Sequence, residues 1–185
     1  MSERLFENIK NLQLLQFAKQ KHVSASEIYI PQGKIYKKIF FIKKGTLRSY
    51  YLTETGEEKT IFFRWDGQFG AIPECIFDNQ TSNQIWQALE DCELFEIDFD
   101  LLEEMSENNV KLMKIRLGFV QVMLLEAIQR IEGFVLDKPE ARYQKLISQK
   151  PEINNRVADK YIASYIGVTP VSLSRIRKRL TSQKK

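Results

Sequence analysis

The chain has 185 residues, 43% of them hydrophobic and 28% charged, with a net charge of +4, a balance that suits a globular protein and excludes disordered, collagen-like and low-complexity classes. It contains no run of ~18 apolar residues, and charges recur every few positions in MSERLFENIKNLQLLQ, so the expectation is a soluble, cytoplasmic protein with no membrane partner. Two cysteines without CxxC spacing, Cys75 and Cys92, and a single histidine, His22, argue against a disulfide framework, a zinc site, a four-cysteine cluster and histidine-based catalysis.

Residues 3–20 read as an amphipathic helix with Leu5, Phe6, Ile9, Leu12 and Leu15 along one side and His22 near its end. From residue 26 the period changes. Short β-branched and aromatic runs alternate with turn residues at Gly33, Gly45, Gly56 and Gly67, the pattern of a compact antiparallel sandwich or barrel. The polar turn FDNQTSN and the run SNQIWQALEDCELFEID extend it with further strands. FDLLEEMSE then turns helical, with Asp98 or Asp100 as its cap and Glu103 and Glu104 favouring the positive end of the dipole. No catalytic constellation is expected: Glu57 and Glu58 fall in a turn and lack a nucleophile, base or metal set around them.

The most regular segment follows. Val110, Met113, Leu117, Val120, Leu124, Ala127, Ile131 and Phe134 keep an unbroken 3-4 alternation, the spacing of a coiled-coil seam. A second apolar row, Leu112, Ile115, Phe119 and Val122, occupies another side of the same helix. A helix apolar on two faces needs two covers, and the reading is its own β domain on one and the identical helix of a second subunit on the other. Helical character resumes at KPEARYQKLISQ, with Pro139 at an early helical position, and stops before Pro151. Asp137, Lys138 and Pro139 mark the hinge to a small helical domain.

Charge is unevenly placed: residues 141–185 hold eleven Lys and Arg against two acids, or +9, and residues 1–140 come to −5. A basic end of this kind points to a polyanionic partner. Within it, IASYIGVTPVSLSRIRKRL reads as a helix-turn-helix. Ile162, Ala163 and Ile166 face inward on the first helix, Gly167 ends it in the left-handed conformation, Thr169 caps the second with Pro170 at its first position, and Val168, Leu173 and Ile176 complete the shared apolar patch. Thr169, Val171, Ser172 and Arg175 then point outward to base edges, and Arg177, Lys178, Arg179, Lys184 and Lys185 are assigned to phosphates.

A β-roll, a long dimerisation helix and a terminal helix-turn-helix, in that order, resemble the Crp/Fnr superfamily of bacterial transcription regulators. The likeness covers nearly the full length and is strongest in FFIKKGTLRSYY and in ARYQKLISQKPEINNRVADKYIASYIGVTPVSLSRIRKRL, which looks like the short Bacteroidetes-type members. It implies an α+β chain: a cyclic-nucleotide-binding-like roll over residues 1–106, a dimerisation helix over 107–136 and a DNA-binding domain over 137–185. It further implies a homodimer on near-palindromic double-stranded DNA, with RNA polymerase as a further partner.

Members that bind cyclic AMP carry Gly-Glu and, about ten residues on, Arg-Ser or Arg-Thr. Here Ala71 follows Gly70, and Ser82 and Asn83 stand where the arginine pair belongs, so no cofactor is expected and cyclic AMP is disfavoured. Arg48 and Arg64, with a pocket lined by Phe62, Phe69, Gly70, Ser82, Asn83 and Trp86, remain as candidates for another small-molecule effector. Relatives usually continue into a β-hairpin wing, whereas five residues follow Leu180 here, which leaves TSQKK to substitute. The rival reading is a dimeric small-molecule sensor or protein-interaction scaffold without sequence-specific DNA binding.

Overall fold

The computed structural model describes residues 14–182. A short 3-10 turn, Leu14–Phe17, leads into β1 (Lys19–Val23), β2 (Ile28–Ile30), β3 (Lys38–Lys44), β4 (Thr46–Leu52), β5 (Glu58–Trp65) and β6 (Phe69–Gly70). Helix α1 (Pro73–Phe77), strands β7 (Ile85–Ala88) and β8 (Cys92–Asp98) and helix α2 (Phe99–Ser106) follow. The chain then runs through α3 (Val110–Leu136), α4 (Pro139–Gln149), α5 (Ile153–Arg156), α6 (Asp159–Ile166) and α7 (Pro170–Ser182). The strands make two four-stranded sheets, ordered β1-β8-β3-β6 and β2-β7-β4-β5. The expected antiparallel α+β architecture is therefore present.

Two expectations near the amino terminus need correction. The helix read through residue 20 gives way to β1, which pairs antiparallel with β8 in the register Lys19↔Glu96 to Val23↔Cys92, so His22 sits on a strand opposite Glu93. Only Val23 of the five is buried. An edge strand with one apolar contact needs no alternation, and its lysines discourage pairing with another chain. Leu5, Phe6, Ile9 and Leu12 lie outside the described residues. The second correction is α1, whose Pro73 opens a single buried turn, Cys75 and Ile76 facing in, where sequence suggested only strand and turn.

Contacts divide the chain into two compact units. One runs up to Ser49 and resumes from Phe63 to Ala127; the other joins Tyr50–Phe62, the outer part of the β4–β5 hairpin, to the chain from Ile128 onward. In the first unit the sheets meet across aromatic rings, Phe40 of β3 standing edge-on to Trp86 of β7 at 5.0 Å. Gly45 makes the β3–β4 turn at φ +111°, and a Cβ there would lie 2.5 Å from the Cys92 sulfur and 2.9 Å from the Asp91 carbonyl. Helix α2 starts as expected: Asp98 accepts from the amides of Asp100 and Leu101 at 3.1 and 3.2 Å. Asn109 does the same for α3, accepting from Lys111 and Leu112.

The second apolar row of α3 packs on the roll. Leu112, Ile115, Phe119 and Val122 are buried in one cluster with Ile39, Phe41 and Phe69, and the Phe119 ring lies 4.9 Å from Phe69 and 5.7 Å from Phe41. Each large apolar side chain removed from water there contributes about 1.5–3 kcal/mol. The heptad row behaves oppositely. Val110, Leu117, Leu124 and Ile131 are 65, 55, 58 and 63% exposed, Met113 and Phe134 are also exposed, and Val120 and Ala127 are half-buried.

Candidate nucleic-acid interface

The helical end of the second unit is built around a small core. Tyr143 and Leu146 of α4, Ile153, Val157, Ile162, Ala163 and Ile166, and Leu173 and Ile176 of α7 are all buried. The i, i+3, i+4 spacing of the α6 and α7 residues turns one stripe of each helix toward the other. Gly167 terminates α6 at φ +75°, its amide bonded to the Ser164 carbonyl, while the Val168 amide returns to Ala163. Thr169 caps α7, its hydroxyl accepting from the Ser172 amide at 3.2 Å. Every structural element of the helix pair read from the sequence is in place, with Val168 only half-buried.

The outward residues separate into two groups. Thr169, Val171, Arg175 and Lys178 are exposed, and among the described residues neither Arg175 nor Lys178 has an ion-pair partner. Ser172 is half-buried and receives the Thr169 hydroxyl at 3.1 Å, so it belongs to the cap. Arg177, assigned to phosphate from sequence, is a structural staple. Its guanidinium donates to the Tyr143 hydroxyl (3.0 Å), Asp159 (2.7 Å) and Asn154 (2.9 Å), tying α7 to α4, α5 and α6 at once. Arg179 is ion-paired with Glu140 at the start of α4. Sequence could not separate these arginines, because a basic run looks alike whether it faces acids across the fold or water. Lys184 and Lys185 lie outside the described residues.

Two further arginines fix the start of this region. Arg130 donates to the carbonyls of Tyr165 (2.5 Å) and Thr60 (3.4 Å) and stacks on the Tyr165 ring at 3.8 Å. Burial pulls its guanidinium below the ordinary arginine range. Arg142 donates to the carbonyls of Ile166 (2.8 Å) and Asp137 (2.6 Å). The two guanidiniums lie on the Phe134 ring at 4.5 and 4.6 Å. Together they satisfy carbonyls at the ends of α3 and α6, where no intrahelical donor exists. The outer hairpin joins this assembly through Ser164, whose hydroxyl donates to the Glu58 carbonyl (3.0 Å) and accepts from the Thr60 amide (2.9 Å).

The effector-pocket residues expected in the roll are dispersed into structural roles. Phe69 and Trp86 are core rings. Gly70 pairs with Phe40, and a Cβ on it would meet the Phe40 ring at 2.2 Å. Arg48 is buried and donates from Nε and Nη2 to Gln87 at 3.0 and 2.7 Å. Arg64 is paired with Glu126 at 2.5 Å. The Ser82 hydroxyl is turned onto the backbone of Gln84, Asn83 is exposed, and Phe62 falls in the second unit. Residues 65–110, which include the whole segment where the phosphate of a cyclic nucleotide would be held, contain no lysine or arginine. A buried phosphate without a cation is unfavourable, so these residues do not fit that ligand.

One polar centre in the roll escaped the sequence reading. Glu96 of β8 accepts from Lys38 Nζ (2.7 Å) and from the Tyr29 and Tyr36 hydroxyls (2.7 and 3.1 Å), and the two hydroxyls bond each other. Burial would raise the Glu96 carboxyl, but the lysine and tyrosine hydrogen bonds outweigh it and hold it below the usual 4.5. Burial, with the carboxylate beside them, pushes both tyrosines up. Among the described residues no cluster of three or more His, Cys, Asp or Glu is placed to hold a metal ion, and no helix is long and apolar enough to cross a membrane.

Residues 20–109 match the cyclic nucleotide-binding domain family. An anaerobic regulatory protein of Aggregatibacter actinomycetemcomitans is 25% identical over 170 residues, 85% of this chain and 65% of that protein. Regulatory protein HlyX of Actinobacillus pleuropneumoniae is 26% identical over 172 residues, 85% of this chain and 70% of that one. The chain thus spans about two thirds of the length of these relatives. Among solved structures, FixK2 from Bradyrhizobium japonicum superposes with a TM-score of 0.75 at 16% identity, over 90% of this chain and 86% of that one. The c-di-GMP responsive regulator CLP of Xanthomonas campestris does so at 0.70 and 14%, over 96 and 92%.

Proposed function

The chain belongs to the Crp/Fnr family, and from that premise we propose that it is a homodimeric, cytoplasmic transcription regulator that reads double-stranded DNA with α7. The observation that carries the reading is the helix pair itself: a left-handed Gly167, a Thr169-capped second helix, and an outer face of Thr169, Val171, Arg175 and Lys178 left open to a partner. Arg175 on the exposed first turns can donate two hydrogen bonds to guanine O6 and N7, a pairing worth about 1–3 kcal/mol of discrimination. Val171 offers methyl surface for thymine, and Lys178 serves phosphate. Lys184 extends the phosphate set.

Dimerisation is proposed through the exposed heptad row of α3. Two such rows, packed knobs into holes, would remove from water the apolar surface that the single chain leaves open. The dimer sets two copies of α7 one DNA turn, about 34 Å, apart on an inverted repeat, with RNA polymerase as a further partner on the DNA. Cyclic AMP is not the proposed effector of the roll, for which the missing cation and the Phe40 ring against Gly70 are the support. The finer likeness, to short Bacteroidetes-type members, rests on the 142–180 sequence pattern alone.

Selection of binding sites from a random DNA library with the purified full chain tests this. An inverted repeat with half-site centres about ten base pairs apart is expected. Weak binding that has no sequence preference and falls steeply with salt would overturn it in favour of a scaffold.

A further inference from the structure

A cavity of about 1020 Å³ lies within the second unit, bounded by the outer hairpin, the end of α3 and the α6–α7 turn. It plays no part in the DNA reading. Its walls are mostly apolar, with Ile61, Ile131, Phe134, Val135, Tyr161 and Val168 supplying the side chains. That volume and that lining, with a few polar groups at fixed places, are the properties of a small-molecule pocket.

Two polar features indicate what kind of molecule it takes. Thr60 lines the cavity at 2% exposure, and its hydroxyl has no hydrogen-bond partner among the described residues. A buried hydroxyl left unsatisfied is costly, and a ligand acceptor removes that cost. The second feature is charge. Lys59 on the hairpin is neutralised by Glu57 at 2.6 Å, but Lys160 has no carboxylate partner among the described residues, its ammonium resting over the Tyr161 ring at 4.7 Å. The cavity therefore offers an apolar interior, one hydroxyl in need of an acceptor, and one cation free to meet an acid.

We propose that this cavity is an effector site for an amphipathic organic acid, an aliphatic or aryl carboxylate whose apolar body lies against Ile131, Val135 and Ile61 and whose carboxylate meets Lys160. Gly167, Val168, Thr169 and Pro170 form part of its wall, so an occupant bears directly on the turn that aims α7. Ligand binding itself rests on the cavity alone; its effect on DNA rests on the function proposed above.

The test uses the full chain. Binding of the fluorescent anion anilinonaphthalene sulfonate, and its displacement by decanoate and by uncharged decanol, is measured for the unmodified protein, Lys160→Glu and Val135→Trp, each checked for native circular dichroism. The expected result is saturable binding of one probe per chain. Lys160→Glu should lose decanoate affinity by about tenfold or more, the loss of one charge-assisted contact, while keeping decanol, and Val135→Trp should lose both. Equal binding by all three proteins, or none that saturates, overturns the site. Displacement by cyclic AMP but not by decanoate overturns the ligand class. If Val135→Trp changes the oligomeric state and the unmodified protein binds no probe, the cavity is filled by a second copy and the proposal fails. Because these readings contain no DNA, failure to select an operator leaves them standing.

Discussion

Three glycines of the second unit separate the two costs of adding a methyl group. Gly56 has φ +78° with nothing within 4 Å of a built Cβ; Gly167 has φ +75° and meets Phe134 Cε1 at 2.7 Å; Gly133 sits inside α3 with its nearest neighbour, Asp137 Oδ2, at 3.6 Å. Alanine at Gly56 should cost only the left-handed backbone, about 1–2 kcal/mol. Alanine at Gly133 should stabilise by about 0.5–1 kcal/mol, the ordinary advantage of alanine over glycine within a helix. Gly167→Ala carries the backbone cost and a collision as well, with a ring held between the guanidiniums of Arg130 and Arg142. Displacing such a ring adds about 1–3 kcal/mol, as overpacking does elsewhere, for a total near 2–5 kcal/mol. Urea unfolding of the three variants reads the order directly. A Gly167→Ala loss no larger than that of Gly56→Ala would show that Phe134 yields freely and that the stacked arginines do not hold it. A loss at Gly133 would refute the backbone reasoning altogether.

Other outcomes follow from the same contacts. Arg175→Ala should leave the melting temperature unchanged and relax base preference at one position per half-site, whereas Arg177→Ala should lower the melting temperature by breaking three hydrogen bonds; thermal melts with repeated site selection distinguish them. Leu117→Asp and Leu124→Glu, on the exposed row, should give folded monomers by analytical ultracentrifugation, and Val122→Asp, on the buried row, should fail to fold. Glu96 is held below 4.5 in the folded state, so its contribution is complete above that value and is lost as pH falls through the depressed folded value. Glu96→Gln should therefore flatten the acid limb of stability against pH; an unchanged limb would mean that Lys38 and the tyrosines do not hold the carboxylate.

The parts legible in the sequence are those where one residue type answers one backbone demand. Asp98 at the start of α2, Gly167 at the end of α6 and Thr169 ahead of Pro170 each do what their position foretold, because capping and left-handed turns are local. The two apolar rows of α3 were legible for a similar reason, since period reports faces. What stayed hidden depends on partners distant along the chain. KQKHV shows no strand pattern, as it is a polar edge whose structure comes from β8. Nothing at Arg177 announces Tyr143, Asn154 and Asp159, and nothing at Glu96 announces Tyr29, Tyr36 and Lys38. The pocket imagined in the roll came from aligning residue types with a ligand's needs. The cavity that exists is assembled from three stretches whose separate sequences carry no mark of it.

Ser164 has a consequence beyond fixing a distance. β5 ends its sheet, and an unsheltered terminal strand invites another chain to add itself. The serine hydroxyl, giving to Glu58 and taking from Thr60, imitates one residue of the missing neighbour. Any state of the protein in which α6 lifts from the hairpin uncovers an amide and a carbonyl ready for a stranger's backbone. Misassembly and activation would then begin with the same motion, and selection on one constrains the other.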